Sequence, residues 1–203
     1  MALLQTAPQD YARSREALEA TRLVLAARRP APRAEARAAL TRWVEVNAFP
    51  AWAGTPWDFS GTTQTPGEGQ IACGYYVSTV LSHAGVKVAR APLAQQASEF
   101  IVKTLASTVE DFRGTPAEAV QRVRVRGEGL YVVGLDYHVG FLRVSGEQVD
   151  FCHSSYLGAK AVLCEPALTA PAFLSSRYVL GEALSDQVVD AWLAGRPVKT
   201  WKR

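Results

Sequence analysis

The sequence predicts an α+β fold, and three observations lead to that prediction. The chain has 203 residues, of which 48% are hydrophobic, so it can bury the core of one domain with an appendage. Stretches with helical spacing fill most of the chain up to about residue 122. After Gly127 the pattern changes to short β-type runs with Gly or Ser between them. Helices followed by an antiparallel sheet are typical of α+β domains.

The first fifty residues are rich in Ala, Arg, Glu and Leu and predict two helices, over residues 8–29 and 33–48. The segment Arg29-Pro30-Ala31-Pro32 separates them, because proline has no N–H group to donate inside a helix. We therefore divide the chain into an N-terminal helical extension, residues 1–49, and a main domain, residues 50–203.

A turn-rich loop with several aromatic and hydroxyl side chains follows over residues 49–70, and loops of this length often line a site. The next predicted helix covers residues 72–85 and ends at Gly85, a residue type common just past a helix C-terminus. Further helices are predicted over residues 92–107, 116–122 and 185–194. The predicted strands cover residues 130–135, 137–144, 148–153, 159–164 and 177–180.

Charge and hydropathy argue against several classes of partner. The net charge is only +3 and the basic residues are spread out, apart from the arginine-rich first fifty residues, so we expect no nucleic-acid partner. No apolar run approaches the roughly 18 residues that cross a membrane. The longest apolar stretch near the N-terminus, residues 23–27, is too short for a signal peptide. We expect a cytoplasmic protein as the sequence stands, or an exported one if a leader has been removed, and the oligomeric state stays open.

The cysteine and histidine spacings argue against a metal or cofactor. There is no CxxC, HxxH or HExxH pattern and no glycine loop ending in GK[ST], so we expect neither zinc nor a bound nucleotide. Three cysteines are too few for a disulfide scaffold, and an odd number leaves at least one thiol free. Whether Cys152 and Cys164 pair is left open.

Cys73 is the first candidate for chemistry, because it follows a glycine-rich loop and opens a predicted helix. The partial positive charge and free N–H groups of a helix N-terminus favour a thiolate, so we expect the pKa of Cys73 to be lowered. The alternative interpretation is a buried structural cysteine.

His138 and His153 fall on two consecutive predicted strands. If Ser145 and Gly146 form a two-residue turn, then Val144 faces Glu147 and His138 faces His153. Directly opposed residues have Cβ atoms about 4.5–5.5 Å apart, so one histidine could orient the other.

The alternation of side chains along a strand excludes other residues from that histidine pair. Asp150 and Cys152 are an odd number of residues from His153 and should point to the opposite face of the sheet. A four-residue turn would pair His138 with Ser155 instead. His83 lies about 15 Å along the helix from Cys73 and cannot reach the thiol. We expect it to be a surface residue or one that complements the dipole at the helix C-terminus.

Three motifs, in order, resemble the NlpC/P60 group of papain-like cysteine peptidases. They are Ile71-Ala72-Cys73-Gly74-Tyr75-Tyr76-Val77-Ser78, His138-Val139-Gly140-Phe141 and Cys152-His153-Ser154-Ser155. The resemblance spans about residues 57–165. Two positions depart from the group's pattern, since Ala72 stands for the usual Asp and Gly74 for the usual Ser.

The resemblance implies a papain-like core for residues 50–203, with Cys73 as nucleophile, His138 as base and His153 as the polar third residue. It further implies hydrolysis of an amide bond through a thioester, with a peptide or peptidoglycan-fragment substrate, most often the peptidoglycan stem peptide. The alternatives are an amidase or acyltransferase with a substrate outside the cell wall, and a non-catalytic binding domain of the same fold.

The remaining site candidates are cleft residues. The backbone N–H of Cys73 is expected to donate to the oxyanion, with Gln70 or Thr65 as a candidate second donor. Trp57 and Tyr75 are expected to line the cleft, although aromatic residues at such positions are more often ordinary packing residues.

Overall fold

A computed structural model describes residues 8–201 and shows the α+β fold that the sequence predicts. The strands form one antiparallel sheet in the order β1-β6-β2-β3-β4-β5. They are β1 (Val109–Arg113), β2 (Gly129–Gly134), β3 (Val139–Ser145), β4 (Gln148–Ser154), β5 (Val162–Pro166) and β6 (Arg177–Glu182).

Helices cover both faces of the sheet. One hydrophobic cluster joins the sheet to α1–α6 and α8, and a second joins the other face to α7 and two short 3₁₀ turns, Ala167–Thr169 and Pro171–Phe173. The helices are α1 (Pro8–Ala26), α2 (Arg33–Trp43), α3 (Phe49–Trp52), α4 (Cys73–His83), α5 (Arg90–Ala94), α6 (Ser98–Leu105), α7 (Pro116–Arg124) and α8 (Asp186–Leu193). Within residues 8–201, no helix is both long and apolar enough to cross a membrane.

The N-terminal helices pack into the same core as the rest of the chain. Tyr11 and Leu40 are buried in one cluster with Trp52 and Tyr76. The boundary expected between residues 49 and 50 lies within a continuous helical run, because a π-helical segment, Val44–Ala48, joins α2 to α3. At the surface, an ion pair of 2.6 Å joins α2 to α8. The N-terminal helices therefore form a layer that packs into the same hydrophobic core as the sheet.

Several element predictions differ from the structure, among them the loop expected over residues 49–70, which begins with the short helix α3. The single helix expected over residues 92–107 is broken into α5 and α6, because residues 95–97 leave the helical path. Strand β1 was missed because its sequence, VEDFR, is mostly charged. It lies at the edge of the sheet, where charged side chains are common, and its carboxylates pair with arginines of α7 and β6.

His83 is not the surface residue that we expected. Its side chain is only 8% exposed, and Nδ1 is 3.1 Å from the Tyr11 hydroxyl, which also accepts a hydrogen bond from Trp52 Nε1 at 3.2 Å. The prediction was wrong because it considered α4 alone, whereas α1 and α3 cover this end of the helix. Burial lowers the pKa of His83 to about 4.

The β3–β4 hairpin has a two-residue turn, but its turn lies one residue further along than expected. Ser145 pairs with Gln148, so Gly146 takes the first central position, with φ +55°, as glycine does in type II′ turns. Counting outward from this pairing, His153 faces Gly140, and His138 lies one residue before the start of β3. The expected direct pairing of the two histidines is therefore wrong by two residues.

Candidate active site

Cys73 is the first residue of α4 and the free cysteine of the chain, with a partly buried side chain. Ala72 precedes it in an extended conformation and has no side chain that could cap the helix. The hydroxyl of Ser154, at the end of β4, donates to the Ile71 carbonyl at 2.7 Å. This bond holds the start of α4 against the end of β4, where the histidines lie.

Gly74 explains one departure from the NlpC/P60 pattern. A Cβ atom added at this position would lie 2.2 Å from the Ala94 carbonyl oxygen, because α5 packs tightly against the first turn of α4. A serine could not be accommodated here without moving one of the two helices.

His138 lies in the tight link between β2 and β3, where its carbonyl accepts the Leu135 N–H at 2.8 Å. Its side chain is buried, and Nε2 is 2.7 Å from Nδ1 of His153. The other ring nitrogen, Nδ1, is buried and has no hydrogen-bond partner among residues 8–201, so the Cys73 thiol does not hydrogen-bond to it in this conformation. One nitrogen of the ring is thus held and the other is free.

His153 is fully buried in β4 and reaches His138 as a diagonal neighbour across the sheet. Its ring stacks on Phe151 with centroids 4.0 Å apart. Gly140, directly opposite, provides the space, because a Cβ atom there would lie 2.8 Å from the Cβ atom of His153. The predicted contact between the histidines is present, although the register that was expected to produce it is not.

Glu165 extends this pair and was missed by sequence reasoning. Its Oε1 atom is 3.1 Å from Nε2 of His153. Glu165 lies on β5 opposite Phe151, on the same face of the sheet as His153. The predicted strand ended at residue 164, two residues before the end of β5, so we did not consider which face of the sheet Glu165 occupies.

The charges of the site are set mainly by burial. Burial lowers the pKa of His138 and His153 well below the ordinary value, and both rings are neutral at pH 7. Burial also raises the pKa of the Cys73 thiol, although the N–H groups of Val139, Gly74 and Cys73 itself act in the opposite direction. The expected lowering of this pKa is therefore wrong, because desolvation outweighs the helix N-terminus. The resting site holds an uncharged thiol and two uncharged imidazoles.

Two cavities meet at Cys73 and His138. The larger, about 690 Å³, is walled by aromatic rings that include the predicted Trp57 and Tyr75. The smaller, about 300 Å³, has charged walls. Its lining includes Glu99, Asp136 and Arg177.

Gln96 lies where the two cavities join, as part of both linings. Its carboxamide oxygen is buried and has no hydrogen-bond partner among the residues that the structure describes. Gln70 and Thr65, the candidates for a second oxyanion donor, are exposed and line neither of these cavities. Sequence reasoning looked for the polar cleft residue before Cys73, whereas the fold supplies one from the segment after α5.

Cys152 and Cys164 form a disulfide, which answers the question that the sequence left open. They are directly paired residues of β4 and β5. Cys152 and His153 alternate along β4, so the disulfide lies on the face of the sheet opposite the histidines, as their parity predicts. Within residues 8–201, no cluster of three or more His, Cys, Asp or Glu side chains is arranged to hold a metal ion.

Comparison of the chain with protein-family models, with curated proteins and with solved structures finds no match. The functional interpretation therefore depends on the geometry of this site and on the motifs in the sequence.

Proposed function

We propose that the protein is a cysteine amidase or peptidase, with Cys73 as nucleophile and His138 as base. The observation that carries the proposal is the state of His138. His153 holds one ring nitrogen, while the other is buried without a hydrogen-bond partner among residues 8–201. The same ring and the thiol at the start of α4 line both cavities. A nucleophile, a base and a residue that orients the base are the parts that acyl transfer needs.

The proposed reaction proceeds through a thioester. His138 Nδ1 takes the thiol proton as the sulfur attacks the substrate carbonyl, and the backbone N–H of Cys73 donates to the oxyanion. The protonated ring then gives its proton to the departing amine. Water, deprotonated by the same nitrogen, releases the acyl group and restores the thiol. The unpaired oxygen of Gln96 is placed to accept an N–H of the bound amide.

We propose that the fold is papain-like, of the NlpC/P60 type. The proposed substrate is a peptidoglycan stem peptide. The three motifs support this choice, and so do two cavities that share Cys73 in their linings and together offer room for a peptide. The disulfide between β4 and β5 adds support, because disulfides persist mainly in proteins that leave the reducing cytosol.

Digestion of purified peptidoglycan and of synthetic stem peptides tests the proposal, with products identified by mass spectrometry. We expect amide cleavage and, after rapid acid quenching, an acyl adduct on Cys73. Cys73→Ala should abolish both, whereas Ser107→Ala, which removes an exposed hydroxyl that lines neither cavity, should retain cleavage. Full turnover by Cys73→Ala would exclude the proposed nucleophile.

A further inference from the structure

We infer that Glu165 is a positioning residue that determines which nitrogens of His153 and His138 carry protons, and so keeps His138 Nδ1 as the free base. This inference rests on the proposed function, since it concerns the base of the same site. Glu165 does not line either cavity and acts only through the two histidines.

The carboxylate of Glu165 determines which nitrogen of His153 carries a proton. Desolvation raises the pKa of Glu165, but its side chain is still 23% exposed and we infer that it is ionised at neutral pH. An ionised carboxylate can only accept hydrogen bonds. At 3.1 Å from Oε1, Nε2 of His153 must therefore carry the proton. A lone pair there would face the lone pairs of the carboxylate.

Because both rings are neutral, the position of the proton on His153 also determines the position of the proton on His138. A neutral imidazole has one N–H, so His153 with a proton on Nε2 has a lone pair on Nδ1. That lone pair, 2.7 Å from His138 Nε2, requires a proton on the latter. His138 then has its own lone pair on Nδ1, which is the nitrogen without a partner among the described residues. One carboxylate thus determines the tautomers of two rings.

Packing holds the rings of His138 and His153 in the orientation that these hydrogen bonds need. His153 stacks on Phe151, and the edge of His138 meets the ring of Tyr156 with centroids 5.2 Å apart. Both hydrogen bonds join diagonal neighbours on one face of the sheet, so they depend on the registers of β3, β4 and β5 together. When His138 takes the thiol proton, the negative charge of Glu165 lies at the far end of the hydrogen-bonded series Glu165–His153–His138 and stabilises the imidazolium.

Nitrogen NMR of the histidine rings tests this inference directly, since the chain has only three histidines. In the wild-type protein, His138 and His153 should both show protonated Nε2 and unprotonated Nδ1. Glu165→Leu removes the acceptor, so the single tautomer should be lost and kcat should fall about 10-fold or more, with KM changed far less. Glu165→Gln can still accept through its carboxamide oxygen and should keep the wild-type tautomers and more of the activity.

Glu182→Leu is the matched control, because it removes an exposed glutamate from the end of β6. It should leave ring spectra and kcat unchanged. A proton on Nδ1 of His138 in the wild-type protein would overturn the inference, whether or not any variant folds. Unchanged tautomers in folded Glu165→Leu would overturn it as well. The ring spectra need no substrate, so a wild-type protein that hydrolyses nothing would refute the proposed function separately.

Discussion

At the scale of single residues, burial decides the protonation of the candidate site. The thiol of Cys73 and the rings of His138 and His153 all favour their uncharged forms. The proposed reaction therefore starts from a neutral pair, and the proton moves as the sulfur attacks. A resting thiolate, which the position of Cys73 at the helix start alone suggested, would need the opposite shift of its pKa.

The neutral pair has a consequence for the pH dependence of catalysis. The pKa of His138 lies below its ordinary value of 6.5, so the ring remains an unprotonated base as the pH falls through 6.5. We expect the acid limb of kcat/KM to lie well below pH 6, and turnover of a stem peptide between pH 4 and 9 measures it. An acid limb centred on the ordinary histidine value would contradict the burial argument.

Substitution of Gln96 tests substrate binding directly. Gln96→Leu should lower kcat/KM about 3- to 10-fold, the effect of losing one neutral hydrogen bond to the substrate. Gln121→Leu is the control, because Gln121 is an exposed residue of α7 that lines neither cavity. Equal effects of the two changes would argue against a specific contact from Gln96.

At the scale of elements, the β3–β4 hairpin leaves room for the His153 ring because Gly140, directly opposite, has no side chain. Gly140→Ala would put a methyl group 2.6 Å from the Phe151 ring and 2.8 Å from the Cβ atom of His153. We expect a loss of about 1–3 kcal/mol in the free energy of unfolding and a marked fall in kcat, because the strands must separate and His153 must shift.

Gly146→Ala serves as the comparison for Gly140→Ala. It strains the turn at a positive φ but has open space around the added methyl group. It should lower stability, measured by urea unfolding, and leave kcat near that of the wild-type protein. A Gly140→Ala variant with full activity would mean that the position of His153 does not matter for catalysis.

The disulfide holds the edge strand β5, which also carries Glu165. Its cysteines are 12 residues apart, and closing a loop of this size contributes about 2–3 kcal/mol to stability. Replacing Cys152 and Cys164 by alanine should lower the free energy of unfolding by that amount. A reducing agent should lower the Tm of the wild-type protein and leave the double variant unchanged. Equal sensitivity of both proteins would show that the bond does not contribute.

At the scale of the whole molecule, all three histidines are buried, two in the site and His83 beneath the N-terminal helix. Each has a folded-state pKa below 6.5, so the unfolded chain binds more protons as the pH falls. Stability is therefore complete above about pH 6.5 and is lost as the pH decreases towards the folded-state values.

This loss should be measurable by urea unfolding between pH 7 and 5, above the range in which carboxylates titrate. Each histidine contributes up to about 1.4 kcal/mol per pH unit. His83→Gln, which cannot titrate but can still accept from the Tyr11 hydroxyl, should reduce the slope by one histidine's share. The same slope in both proteins would mean that His83 is already protonated in the fold.

Local patterns were sufficient for much of this structure. The change of hydrophobic period near Gly127 predicts the α+β order, and Gly85 ends α4 with φ +81°, as a glycine just past a helix does. The start of α4 at Cys73 and the opposite faces of Cys152 and His153 follow from the same local rules. These features depend on neighbours in sequence, so the order of residues determines them.

Tertiary structure alone decided the features that depend on distant elements. Glu165 meets His153 because β5 pairs with β4 in one register, and His83 is buried because α1 and α3 cover it. The pKa of Cys73 rises because the surrounding elements remove water from a thiol that its own helix would ionise. Registers, covering layers and desolvation depend on how elements pack against one another. Even His153 and Glu165, only 12 residues apart, meet through strand pairing, and the contacts that bury Cys73 and His83 come from segments far along the chain.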